Sequence, residues 1–202
     1  MVVIIDYNVG NVKSVLNACN RIGIDAIISR DKDEIKKAKG IILPGVGSFP
    51  VAMENLKKYD LIDILNDRKK NNIPILGICL GMQILFEKGF EVKEINGLAY
   101  LKGNVNLIKT FQKLPHMGWN QLFFNKNDNI LKCVSELDDV YFVHSYMADF
   151  NSDEVVCYTE YGDVQIPAIV RKDNVIGCQF HPEKSGEVGQ NILKAWKEII
   201  EC

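Results

Sequence analysis

The sequence predicts an α/β fold: a mostly parallel central sheet flanked by helices, with an antiparallel, strand-rich second half. Three observations carry the prediction. Up to about Ile95, short apolar runs alternate with stretches of helical periodicity, the pattern of a parallel sheet covered on both faces. Beyond it, β-branched and aromatic runs replace the helical spacing. At the centre, residues 74–83 pass from an apolar run into helix formers through Gly77-x-Cys79-x-Gly81, a spacing suited to an abrupt strand-to-helix turn.

The elements follow in order. Residues 2–5 are all apolar and form the first strand. In the loop 6–11, Asn11 is placed to cap a helix whose apolar face is Val12, Val15, Leu16, Cys19 and Ile22, ending at Gly23. Residues 26–28 form a second strand, and Asp31 or Asp33 opens a charged helix. Residues 41–43 form a third, which runs into Pro44-Gly45-Val46-Gly47; Ser48 caps a helix through Met53 and Leu56, and Leu61 to Arg68 continue helical. The central strand follows, then a helix carrying Leu80, Met82, Ile84, Leu85 and Phe86. In the second half, 105–108, 119–124, 140–145, 155–161, 166–171 and 175–180 read as strands, with a hairpin turn at Asp173-Asn174. A helix with Ile192, Leu193, Trp196, Ile199 and Ile200 on one face closes the chain.

At 202 residues, with no linker, repeat or low-complexity tract, residues 1–202 are expected to form a single domain with a large core. The formal net charge of -2, without a dense basic cluster, argues against nucleic acid. No apolar run suits a signal peptide or a membrane span. The six cysteines form no C-x-x-C pair and no disulfide-scaffold spacing, so a reduced, cytoplasmic protein is expected. No histidine pair has ligand spacing, and neither a metal nor a cofactor is expected.

Gly77-Ile78-Cys79-Leu80-Gly81 is a nucleophile elbow with sulfur in place of oxygen. Such a turn lifts Cys79 to the carboxyl end of the sheet, into solvent, and aims the next amides at whatever the sulfur attacks. By itself it reads equally as a buried cysteine at a tight junction, and the other five cysteines fit a buried, inert role. The context comes from Gln179-Phe180-His181-Pro182-Glu183. Pro182 holds His181 extended, and in extended chain His181 and Glu183 share a face while Cys178 turns into the core. Alone, His-Pro-Glu is most often a surface turn. With the cysteine elbow it completes a nucleophile, a base and an orienting carboxylate, all at strand carboxyl ends, where ligands bind in such sheets.

These two segments together resemble the class I (triad) glutamine amidotransferases. Residues 6–15, 43–49, Pro115-His116-Met117-Gly118-Trp119-Asn120 and His181-Pro182-Glu183-Lys184-Ser185-Gly186 narrow the resemblance to the glutaminase subunits of imidazole glycerol phosphate synthase, in histidine biosynthesis. The likeness runs over nearly the whole chain. It departs at Asn8, where the family usually carries glycine, and at residues 88–91, where the family is usually more acidic.

The resemblance implies hydrolysis of glutamine to glutamate and ammonia by Cys79, His181 and Glu183, through a glutamyl thioester. It implies oxyanion donors at Leu80 and in the Val46-Gly47 segment. It implies that Gly45, Gln83, Glu91, Ser145 and Tyr146 hold the substrate. It implies a partner, a (β/α)8-barrel cyclase subunit that uses the ammonia, facing Met117, Gly118, Trp119, Asn120 and Lys184. It also implies slow turnover alone and acceleration when the partner holds its ligand. Two rivals remain at this point. One is the glutaminase of another synthase, for anthranilate, guanylate or pyridoxal phosphate, against which Asp6-Tyr7 and residues 117–120 argue. The other is a non-catalytic module on the same fold, whose mark would be loss of Cys79, His181 or Glu183.

Overall fold

Residues 2–5, 40–43 and 75–78 are apolar at every position because helices cover both faces of the sheet they form, whereas the half-buried strand 26–29 ends in Ser29. In the computed structural model, which describes residues 1–201, the chain runs β1 (Val2–Ile5), α1 (Val12–Arg21), β2 (Ala26–Ser29), α2 (Lys32–Lys37), β3 (Gly40–Leu43), α3 (Phe49–Lys58), α4 (Ile62–Lys70), β4 (Ile75–Ile78) and α5 (Leu80–Gln83). Alternation along β1 splits the interior in two. Val3 and Ile5 join Phe49, Met53, Leu56 and Leu65 on one side; Val2 and Ile4 join Val15, Cys19, Ile192 and Trp196 on the other.

The second half continues with β5 (Lys88–Gly89), β6 (Ile95–Asn96), β7 (Asn104–Leu107), β8 (His116–Gln121), β9 (Phe123–Phe124), β10 (Asp139–His144), β11 (Tyr146–Ala148), β12 (Val155–Tyr161), β13 (Val164–Lys172), β14 (Val175–Cys178) and α6 (Gly186–Glu201). The main sheet has eight strands in the order β2-β1-β3-β4-β14-β13-β12-β9. It is parallel from β2 to β14 and antiparallel from β14 to β9. The expected architecture is thus present, with the parallel-to-antiparallel change at β14, next to β4.

Several local expectations need correction. The helix after Cys79 is a single turn, because amides from a distant loop take the carbonyls that its continuation would use. Leu98 donates to Ile84, Ala99 to Phe86, and Tyr100 and Leu101 both to Leu85. The strand expected over 119–124 is two strands in different sheets. Leu122 is fully buried and its amide bonds Asp138, so the chain leaves β10 there and β9 pairs with β12. β8 and β10 form their own two-stranded sheet, and β11-β7-β5-β6 form a third, in which β5, β6 and β11 have only two or three residues, too few to alternate visibly. Asn11 and Ser48 occupy N-cap positions without capping through their side chains, whereas Asp31 accepts from the amides of Asp33 and Glu34.

Candidate active site

β4 and β14 are parallel neighbours with Ile78 opposite Cys178, and the Cys79 amide donates to the Cys178 carbonyl at 2.7 Å. Residues 79 and 179 therefore leave the sheet side by side at its carboxyl edge. Cys79 sits at φ 53°, ψ -109°, a backbone that costs a side-chain-bearing residue about 1–3 kcal/mol. The glycines make the elbow possible by close approach. A Cβ on Gly81 would lie 1.8 Å from the Leu43 carbonyl oxygen, and one on Gly77 would lie 2.6 Å from that of Gly81. The elbow does not lift the sulfur into open solvent as expected. Cys79 is only 6% exposed, because β10 crosses over it and the Val143 carbonyl lies 3.9 Å from Sγ.

His181 follows β14 and is buried, 2% exposed. Its amide donates to the Tyr141 carbonyl, and its own carbonyl accepts from the Ser185 hydroxyl, which in turn accepts from the Tyr141 amide. Nδ1 meets Glu183 Oε1 at 2.8 Å. The pairing is made differently from the expected extended segment. Only His181 is extended; residues Pro182–Lys184 form a 3₁₀ turn that folds the carboxylate back onto the ring. Among the described residues, Nε2 is buried without a hydrogen-bond partner. Burial pulls the imidazole pKa down, but the Cys79 sulfur and the Glu183 carboxylate more than offset it and raise it to about 9. At neutral pH the ring therefore holds a proton for transfer.

A cleft of about 230 Å³ opens over the sulfur, lined by Val46, Gly47, Cys79, Leu80, Gln83, Glu91, Val143, His144, Ser145 and Tyr146. Most residues expected to bind substrate or oxyanion thus meet in one place, with Val143 and His144 added. Gly45 lies behind it, packed so closely that a Cβ would sit 2.7 Å from the Gly81 amide. Gly47 has φ 110° and open space around it. Glu91 Oε2 accepts from the Phe49 amide at 2.8 Å, supplying the cap that Ser48 does not and tying the cleft wall to the end of the glycine loop. Gln83 Nε2 donates to the Tyr146 carbonyl at 2.8 Å and to Gln179 Oε1 at 3.0 Å, which leaves its oxygen for a ligand. Gln179 itself, fully buried beside the sulfur, was not among the expected site residues.

His116 and His144 bond each other at 3.0 Å, and burial lowers both pKa values, that of His144 to about 3. Beyond them His116 meets Asn120 Oδ1 at 2.8 Å. On the opposite face of β8, Met117 and Trp119 are 61% and 55% exposed. Gly118 lies between them at φ 143°. Trp119 meets Tyr141 edge-on, and Lys184 lies over the same tyrosine ring. Of the expected interface residues, Met117 and Trp119 thus share an exposed face with Lys184 nearby, Asn120 turns instead to the His116 side, and Trp119 is not a core aromatic. Asn8, the departure from the family pattern, adopts φ 61°, a left-handed backbone that asparagine tolerates. Among the remaining cysteines Cys19, Cys157 and Cys178 are buried, and burial raises their thiol pKa values, Cys19 to about 12. Cys133 differs from expectation: it is exposed, in the loop before β10. Cys202 lies outside the described residues. Among the described residues no group of three or more His, Cys, Asp or Glu is placed to hold a metal, and no helix is long and apolar enough to cross a membrane.

A sulfur on a strand-helix elbow at a cleft of small-molecule size, with a His–Glu pair beyond the next parallel strand, is an arrangement suited to an enzyme with a cysteine nucleophile. Residues 3–198 match the glutamine amidotransferase class-I family. The imidazole glycerol phosphate synthase subunit HisH of Lactococcus lactis subsp. lactis is 59% identical over 199 residues, covering 98% of each chain. The protein of that name from Bacillus cereus is 46% identical over 201 residues, covering 100% of this chain and 96% of its own. A crystal structure of a glutamine amidotransferase superposes with a TM-score of 0.78 over the whole of both chains at 20% identity. PurLQS from Thermotoga maritima gives 0.76 over 98% of this chain and 97% of its own, also at 20% identity; at that level the likeness is one of fold. The chain belongs to the class-I glutamine amidotransferases and, within them, to the HisH family of imidazole glycerol phosphate synthase subunits.

Proposed function

We propose that this protein hydrolyses glutamine to glutamate and ammonia and delivers the ammonia to a (β/α)8-barrel cyclase subunit of imidazole glycerol phosphate synthase, in the cytoplasm. The observation that carries the reading is the buried His181 ring: Nδ1 is held by Glu183, Nε2 has no hydrogen-bond partner among the described residues, and Cys79 acts on the same ring. The sulfur attacks the side-chain amide carbon of glutamine. The oxyanion is received by the Leu80 amide, which has no intrahelical acceptor at the first position of α5, and by an amide of the Val46-Gly47 segment. His181 passes its proton to the departing nitrogen, ammonia leaves, and a glutamyl thioester remains on Cys79. A water that gives its proton to His181 attacks the thioester, and the adduct collapses to release glutamate, returning the sulfur and the protonated ring to their starting state. The test is glutamate release from glutamine, with and without the cyclase subunit; absence of release in both conditions overturns the reading.

The partner reading rests on Trp119, Tyr141 and Lys184, an exposed aromatic and cationic cluster of the kind that anchors interfaces. Trp119→Ala is expected to weaken binding of the cyclase subunit by about thirtyfold, since buried aromatic anchors contribute roughly 2 kcal/mol or more. It should leave the melting temperature nearly unchanged, because the indole makes few core contacts. Titration calorimetry and a thermal scan on the same sample separate the two. An intact complex with a large fall in melting temperature would make Trp119 a folding residue instead.

A further inference from the structure

We propose that Gln179 holds the nucleophile: it is a positioning residue whose amide N–H is aimed at the Cys79 sulfur in a polarity fixed by the backbone of β11. The proposal rests on Cys79 being the nucleophile. Gln179 Nε2 lies 3.7 Å from Sγ, and the side chain is fully buried, so this donor has no water to turn to.

The direction of the amide follows from its neighbours. The Tyr146 carbonyl can only accept, so Gln83 must present its nitrogen there. The second hydrogen of that nitrogen goes to Gln179 at 3.0 Å, which therefore presents its oxygen. Gln179 is left with its nitrogen toward the sulfur. Flipping either amide would set oxygen against oxygen or nitrogen against nitrogen within this chain of contacts. Strand register supplies the rest of the geometry, because residues 79 and 179 leave β4 and β14 at the same level.

The consequence for reactivity comes from the sulfur's other neighbour. The Val143 carbonyl, 3.9 Å from Sγ, can accept from a thiol but opposes a thiolate. Gln179 is the opposite: its N–H favours the ionised sulfur, and hydrogen bonds to charged acceptors are the stronger kind. Gln179 thus favours the attacking form and keeps it on the His181 side of the cleft. The same residue ties the nucleophile to Gln83, on the cleft wall, so the sulfur and the substrate pocket share one rigid set of contacts.

The experiment is the rate of Cys79 modification by iodoacetamide, followed by mass spectrometry of the Cys79 peptide from neutral to alkaline pH. Peptide mapping separates it from the exposed Cys133. Gln179→Met keeps the length and removes the amide. It is expected to slow modification about tenfold at neutral pH and to converge on the wild-type rate in alkali, where the sulfur is ionised regardless. A residue that only packs would leave the pH profile in place. Should Gln179→Met not fold, Gln179→Leu removes the donor without adding a titrating group, and modification at neutral pH is expected to be slower than wild type by as much. Wild-type modification rates in the folded variant at every pH would overturn the proposal. If complete modification of Cys79 leaves wild-type glutaminase activity intact, the nucleophile assignment itself falls instead.

Discussion

Cys79→Ala is expected to lose glutamine-dependent activity by about 10⁴–10⁶-fold, the scale on which nucleophile removal acts in a triad enzyme. Ammonia supplied directly should still support synthesis by the complex, because only the ammonia source is lost. The fold should survive. Alanine meets the same strain at φ 53° as cysteine does, and the sulfur's contacts with Val143 and Gln179 are long ones, at 3.9 and 3.7 Å, that the fold does not depend on. His181→Ala should fall nearly as far, since nucleophile and base act as a unit, while Glu183→Ala should be milder because it orients the ring. Glutamate release and ammonia-dependent turnover, measured on the same complexes, make the check. Retained glutaminase activity would remove Cys79 from the nucleophile's role, and a matching loss of ammonia-dependent turnover would mean the substitution damages the assembly. An equal loss in Glu183→Ala and His181→Ala would give Glu183 a further part in the chemistry.

What was legible in the sequence is local. Val2–Ile5, Gly40–Leu43 and Ile75–Ile78 announce themselves because fully buried parallel strands are apolar at every position. The cysteine elbow is legible because a sharp junction leaves a glycine on each side of Cys79. What was hidden is non-local. The truncation of α5 depends on amides of residues 98–101, and the cap on α3 on a carboxylate forty-two residues away, Glu91. Gln179 is the instructive case. It lies two residues before His181, so the alternation that turned Cys178 into the core also put Gln179 on the histidine's side. Its contact with the sulfur depends on β14 being the parallel neighbour of β4, in register, and only the assembled sheet shows that.

Gly47→Pro is expected to lower partner-stimulated glutaminase activity by about 10²–10³-fold while leaving assembly intact, the effect of removing one oxyanion donor. Two properties of proline act at once. It has no N–H to give, and its ring holds φ near -65°, whereas Gly47 stands at φ 110°. Gly47→Ala separates them. Among the described residues nothing lies within 4 Å of the place a Cβ would occupy, so alanine adds no clash. It keeps the N–H and strains only the present backbone, which L-residues rarely adopt. The loop is therefore a segment with a conformational preference that one methyl group shifts, and a partner's ligand can shift it too if it binds one loop state more tightly. Coupling of that kind is reciprocal, so glutamine bound here should tighten the partner's ligand. The tie from Glu91 to Phe49 holds the far end of the loop, whereas Val46 is 43% exposed and Gly47 stands in open space. Gly47→Ala is expected to keep most of the stimulated rate that Gly47→Pro loses. The measurement is glutamate release by each variant with the cyclase subunit, with and without its ligand. Equal losses in the two variants would assign the effect to backbone conformation rather than the amide. Stimulation of Gly47→Pro to the wild-type level would place control outside this loop, in glutamine binding or in closure of the subunit interface.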